Sequence, residues 1–252
     1  MAAVVALLLL ALGVVVVLAM RAGRGSYAPP VQVSPGIWGV RSAGGIWLYA
    51  ARAGREVVLF DSGADPQGRP VDGLLAALGA GRSEVTHVFL THGHFDHTAA
   101  ARLFPQARVH LGARDAGLAA GRERPAAALG RVFSVLMSVP PVRVTDPIEG
   151  EVEIPVGDGW SVRAIPVPGH TQGSYAFLFD GVLVVGDILD YRAGKLGLAP
   201  AFFDANPESN RASVVALARE MEGSQFEVLC TGHGGCTAAG EGPRLLAKYA
   251  VP

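Results

Sequence analysis

Thr91-His92-Gly93-His94-Phe95-Asp96-His97 places three histidines and one aspartate within six positions of a chain that has seven histidines in all. The run before it, residues 85–90 (VTHVFL), is apolar and rich in β-formers, and reads as a buried strand. Neutral imidazole and carboxylate are the donors that a borderline divalent metal takes. His92 and His94 are two apart on extended chain, so their rings point the same way. Asp96 and His97 begin the next turn of chain and can address a second ion. Gathering four such groups without a metal would cost several kcal/mol in desolvation, which argues against a merely solvated loop.

Three later strand ends carry single groups of the same kind. Pro168-Gly169-His170-Thr171 follows a strand-like run at 161–167, Gly186-Asp187 follows 182–185, and Thr231-Gly232-His233-Gly234-Gly235 follows 226–230. Glycines beside each donor permit close backbone approach. Taken singly, each group has an ordinary structural explanation, such as a helix-capping aspartate. Taken together, they supply what the cluster lacks.

With these motifs in place the chain resembles the metallo-β-lactamase superfamily over about residues 36–236. The matching pattern is H-x-H-x-D-H at His92, His94, Asp96 and His97, followed by G-H-T at His170, G-D at Asp187 and G-H at His233. Asp61, in Leu59-Phe60-Asp61-Ser62-Gly63, matches an early strand-end aspartate. The resemblance implies an αββα sandwich of two mixed β-sheets flanked by helices. It implies that His92, His94 and His170 hold one metal, that Asp96, His97 and His233 hold a second, and that Asp187 bridges them. Asp61 would orient a ligand histidine through its free ring N–H. The implied cofactor is Zn2+, two per chain, with iron or manganese as alternatives. The implied reaction is direct hydrolysis of an ester-like bond by metal-activated hydroxide, with Asp96 handling the proton.

The bond is narrowed by comparison within the superfamily. Glyoxalase-II-like thioesterases and lactonases share all seven ligand positions. Only nineteen residues follow His233, which leaves no room for the helical extension that binds glutathione in the former. Lactonases carry a tyrosine shortly after the bridging aspartate, and Tyr191, four residues beyond Asp187, can fill that role as an oxyanion donor or can simply pack. A persulfide dioxygenase with one iron on His92, His170 and Asp187 is the alternative chemistry. A non-catalytic metal-binding membrane protein is the other alternative. It would be expected to have lost a ligand, and none is lost.

The remainder of the chain sets the context. It has 252 residues, half of them apolar and 17% charged, which excludes intrinsic disorder. A net charge of −1 argues against a nucleic-acid partner and leaves a small-molecule substrate. Residues 2–20 (AAVVALLLLALGVVVVLAM) carry no charge and, at about 1.5 Å per residue, span close to a bilayer core. No basic residue precedes them, and the run exceeds a signal-peptide core, so they read as an uncleaved transmembrane anchor. Arg21 and Arg24 follow directly, which places the catalytic domain in the cytoplasm by the positive-inside rule. Residues 21–36 read as a linker and 37–252 as one hydrolase domain. An amphipathic helix over 128–138, with Leu129, Val132, Phe133, Leu136 and Met137 on one stripe, and the pair Phe202-Phe203 are core elements or pocket walls. His87 and His110 fall within strands and read as structural. Cys230 and Cys236 flank His233, and their spacing leaves pairing open.

Overall fold

The structure, a computed structural model, describes residues 25–137 and 139–250 together with Leu18. The expected anchor at 2–20 thus lies outside the described residues, Leu18 apart. Among the described residues no helix is long and apolar enough to cross a membrane.

Two mixed sheets form the body. The first runs in chain order: β1 (Val31–Ser34), β2 (Ile37–Arg41), β3 (Trp47–Ala53), β4 (Glu56–Phe60), β5 (Val85–Phe89), β6 (Arg108–Gly112) and β7 (Asp146–Ile148). The second is built from β8 (Val152–Gly157), β9 (Trp160–Pro166), β10 (Tyr175–Phe179), β11 (Val182–Val184), β14 (Val228–Thr231) and β15 (Gly235–Cys236), in the spatial order β15-β14-β11-β10-β9-β8. A separate hairpin joins β12 (Leu189–Arg192) to β13 (Lys195–Leu198). The helices are α1 (Arg69–Ala77), α2 (Phe95–Thr98), α3 (Ala116–Ala119), α4 (Ala128–Leu136), α5 (Pro207–Glu220) and α6 (Glu241–Leu246).

Strand alternation explains the layers. In β4, Val58 and Phe60 face the second sheet and meet Phe177 and Val184. Val57 and Leu59 face the other way, onto Leu74 and Leu75 of α1. On the outer face of the second sheet, Ile165, Leu183 and Leu229 pack against Val214 and Leu217 of α5. Each such fully buried aliphatic or aromatic side chain is worth about 1.5–3 kcal/mol over exposure. The result is the αββα sandwich that the motif implied. Asn206 caps α5 as its position before Pro207 predicts, with Oδ1 accepting from Ser209 N at 2.9 Å.

The linker expected over 21–36 ends sooner than that. Val31 pairs with Gly39 and Gln32 with Trp38, and Tyr27 bridges Ser42. Pro35-Gly36, which reads as linker composition, is the turn of this hairpin, with Gly36 at φ 73. The stripe on α4 also departs from expectation: Leu129, Val132 and Leu136 are exposed, and Gly130 is the buried residue within the helix. His87 and His110 are buried, stacked and 2.9 Å apart, Nδ1 to Nε2, in the structural role expected of them.

Candidate metal centre

Five strand ends deliver the donors to one edge of the sandwich. β4 leads to Asp61, and β5 runs into His92–His97. The loop between β9 and β10 carries His170, β11 leads to Asp187, and β14 leads to His233.

His92 Nε2 lies 3.0 Å from His94 Nδ1, and His170 Nε2 lies 3.1 Å from that same atom. Three ring nitrogens facing one point cannot all be satisfied by sharing protons among themselves. They fit a tetrahedral ion, whose ligand nitrogens at ~2.0–2.1 Å would stand a little over 3 Å apart. Asp96, His97 and His233 make a second convergent group, and His92, His97 and Asp187 a third that overlaps both. Asp187 Oδ2 is 3.2 Å from His233 Nε2, 3.5 Å from His97 Nε2 and 3.8 Å from His170 Nε2, so it stands between the two trios. His97 Nε2 and Asp187 Oδ1 are buried with no hydrogen-bond partner. Buried ligand atoms without a hydrogen-bond partner are what a metal-binding set presents, so the residues fit divalent metal.

The rings are aimed by neighbours. Asp61 Oδ2 accepts from His97 Nδ1 at 2.8 Å, which turns Nε2 toward the cluster. The same carboxylate accepts from Thr91 N at 2.8 Å and from its hydroxyl. Asp61 has φ 60, a conformation costing of order 1 kcal/mol outside glycine, and these bonds hold it there. Asp204 Oδ1 accepts from His170 Nδ1 at 3.0 Å and is braced by Asn210 Nδ2 at 3.2 Å. Asp115 accepts from Gly93 N, Gly173 N and Thr171 Oγ1, and so ties the loop of His92 and His94 to the loop of His170. Sequence reasoning missed Asp115 and Asp204. Both are acids just past a strand or just before a helix, the signal that flagged Asp61 and Asp187. Gly232 admits no side chain, because a Cβ there would collide with Asp187 Oδ1.

The two trios differ in charge. Burial pulls His92 down, and it pulls His94 down to about 3, so both are neutral and ready to ligate. Burial also disfavours charge on His97, but Asp187, Asp61 and Asp96 outweigh it and hold His97 well above its usual value. Asp187 lifts His233 to about 10. Burial opposes ionisation of Asp96, yet His97 and His233 bring it to about 2.

A cavity of about 940 Å³ opens above the donors, with His94, Asp96, His170, Asp187 and His233 on its floor. Its walls are mostly apolar and include Ile46, Leu118, Phe133, Met137 and Phe203. Phe203 thus stands where the sequence placed it, whereas Phe202 points to solvent. Tyr191 is not brought to the cavity. Its hydroxyl donates to Glu241 Oε2 at 3.1 Å, and its strand β12 pairs with β13. Cys230 and Cys236 form a disulfide across the β14–β15 pair, either side of His233.

The sequence profile of the Metallo-beta-lactamase superfamily matches residues 41–233. The uncharacterized protein YobT of Bacillus subtilis (strain 168) is 30% identical over 206 residues, covering 74% of this chain and 82% of that protein. A hydroxyacylglutathione hydrolase of Anaeromyxobacter dehalogenans (strain 2CP-C) is 32% identical over 145 residues, covering 57% of this chain and 46% of that protein. The chain spans between 46% and 64% of the length of the hydroxyacylglutathione hydrolases it matches. Among solved structures, the MIM-2 metallo-beta-lactamase superposes with a TM-score of 0.66 at 18% identity, covering 93% of this chain and 92% of its own. A metallo-beta-lactamase family protein from Thermus thermophilus superposes with a TM-score of 0.63 at 25% identity, covering 86% and 79%.

Proposed function

We propose a function from one premise: the chain belongs to the metallo-beta-lactamase superfamily and is a metal-dependent hydrolase. The finer reading is a dinuclear zinc enzyme that cleaves an ester-like bond, a thioester, a lactone or a relative of these, in a small molecule with an apolar group. The observation that carries it is Asp187 Oδ2 standing between two complete donor trios at the floor of an apolar cavity.

His92, His94 and His170 would hold one ion, Asp96, His97 and His233 the other, and Asp187 both. When bound, the pair supplies an acidified water and a Lewis acid for the scissile carbonyl. The chain's own groups do the rest. Asp61 and Asp204 fix the tautomers of His97 and His170. Asp96 is ionised in this setting and lines the cavity, with Oδ2 3.5 Å from His233 Nε2, so it enters as a proton acceptor. Phe133, Phe203 and Met137 exclude water above the floor and receive the apolar part of the substrate.

Residues 2–20 serve as a membrane anchor in this reading. A disulfide persists where thiols are oxidised. The Cys230–Cys236 pair therefore supports an oxidising compartment for the catalytic domain, against the cytoplasmic side favoured by Arg21 and Arg24.

The test is a hydrolysis panel of lactones, thioesters and β-lactams, each with short and long acyl groups, on the zinc-loaded full chain. Cleavage of ester-like members, faster for the longer chains, is the expected result. No hydrolysis, with oxygen uptake on persulfides by the iron form, would overturn it.

A further inference from the structure

We propose that the exposed face of α4, at the wall of the cavity, docks on a lipid bilayer with anionic headgroups. The helix carries the apolar spacing of a core element, yet folding leaves much of that apolar surface in solvent. Leu129 and Leu136 are 38% and 39% exposed, and Val132 and Val135 are 52% and 55% exposed. Val132 stands three or four residues from each of the other three, and at about 100° per residue all four share one side of the helix. Phe133 turns elsewhere, toward Phe203 at a ring separation of 6.2 Å. Phe202 packs against Phe203 with tilted rings 4.7 Å apart and, being 62% exposed, extends the apolar surface beyond the helix. Large contiguous apolar patches on a protein surface mark interaction sites.

Two observations identify the occupant. The first is charge. Arg122, Arg124 and Arg131, with Glu123 as the one acid among them, are all exposed in the stretch that leads into α4 and forms its first turns. A local excess of arginine in a chain of net charge −1 complements an anionic surface, and an apolar face rimmed by arginine is the composition of an interfacial helix.

The second is where the chain leaves the domain. The Ser26 carbonyl accepts from Ala43 N at 2.8 Å, and Ala43 and Gly44 line the same cavity as Phe133. Ser26, six residues after the apolar run 2–20, thus lies at the rim of the cavity. Residues 21–25 between them reach at most about 18 Å when fully extended, at ~3.6 Å per residue. An anchor so tethered holds the rim, and α4 with it, against the bilayer. Apolar substrate dissolved in the membrane then enters the cavity without crossing water. This inference rests on residues 2–20 being an anchor and is independent of which bond the site cleaves.

The experiment uses the full chain in vesicles of phosphatidylcholine and phosphatidylglycerol in equal parts. Both native cysteines are paired, so V132C and, separately, R55C each provide one free thiol for a nitroxide. Arg55 lies on the turn between β3 and β4, at the end of the strands opposite the metal centre. Docking predicts a ratio of oxygen to water-soluble nickel accessibility several-fold higher at position 132 than at 55. Equal ratios on vesicle-bound protein would overturn docking and leave the anchor standing. Shielding of position 132 from both reagents would mean that protein covers the face, a second copy or the 2–20 segment, and would overturn it as well. A chain that fails to bind vesicles would overturn anchor and docking together, and the hydrolase reading would survive.

Discussion

Donors on the floor of the cavity are braced by buried partners, whereas the helix on its wall keeps most of its apolar side chains in solvent. His97 leans on Asp61, His170 on Asp204, and the loops carrying His92, His94 and His170 are tied by Asp115. These are charge-assisted hydrogen bonds among buried groups, the strong kind. The wall has no such bracing. Helix α4 is held by Gly130, by Phe133 against Phe203, and by Arg131 donating to the carbonyls of Pro125 and Ala126. The lesson is a division of labour. The floor fixes geometry, which the chemistry needs to within fractions of an ångström, while the wall offers apolar surface that tolerates change.

That contrast can be broken or sharpened by mutation. Asp187→Ala removes the group shared by both trios. Hydrolysis should fall by at least about a thousandfold, since metal-borne charge stabilisation is worth several kcal/mol and each 1.36 kcal/mol is tenfold. Steady-state kinetics on any substrate found in the panel measures this, with circular dichroism confirming the fold. Asp204→Ala leaves all seven donors in place but frees the His170 ring. Metal affinity should drop about 10–100-fold, read by competition with a chelating dye. An unchanged affinity would mean that packing alone orients His170.

The two trios also separate by pH. In the metal-free chain His97 and His233 carry protons at neutral pH, His233 with a value of about 10. A divalent ion must displace them, so apparent affinity at the Asp96–His97–His233 trio falls about tenfold per displaced proton for each unit that the pH drops. His92 and His94 are held neutral by burial and release none between about pH 5 and 8. Calorimetry in two buffers of different ionisation enthalpy counts the protons. The sign for stability follows from the same shift. His233 supports the metal-free fold fully below pH ~6.5, and that support is lost as pH rises through about 10.

The smallest effects belong to the wall and beyond. Phe133→Ala should raise KM for long acyl substrates several-fold with little change in kcat. Tyr191→Phe should leave both within about twofold, because the hydroxyl is engaged with Glu241 away from the cavity. Loss of activity in the tyrosine variant would return it to the site and contradict the placement of β12.

The floor was legible in the sequence and the wall was not, for a physical reason. Ligand chemistry is written in residue type, and with seven histidines in the whole chain a cluster of three stands out. The strands β9 and β11 were readable to within a residue from the apolar runs at 161–167 and 182–185. The α4 stripe obeyed the helical period equally well, but periodicity reports that a face is apolar and says nothing of what covers it. Tyr191 was misplaced because four residues of spacing do not reveal that β12 and β13 pair with each other. Asp115 and Asp204 were passed over because a single acid at an element boundary looks like a cap. Pro35-Gly36 read as linker because its partner strand is only four residues long.

The central claim, one dinuclear site built from seven side chains, is tested most directly by the metal content of the purified full chain. Elemental analysis of protein produced without added metal should give about two zinc ions per chain, with the second lost first as the pH is lowered. About one iron per chain with no zinc, or no retained metal at all, would contradict the account.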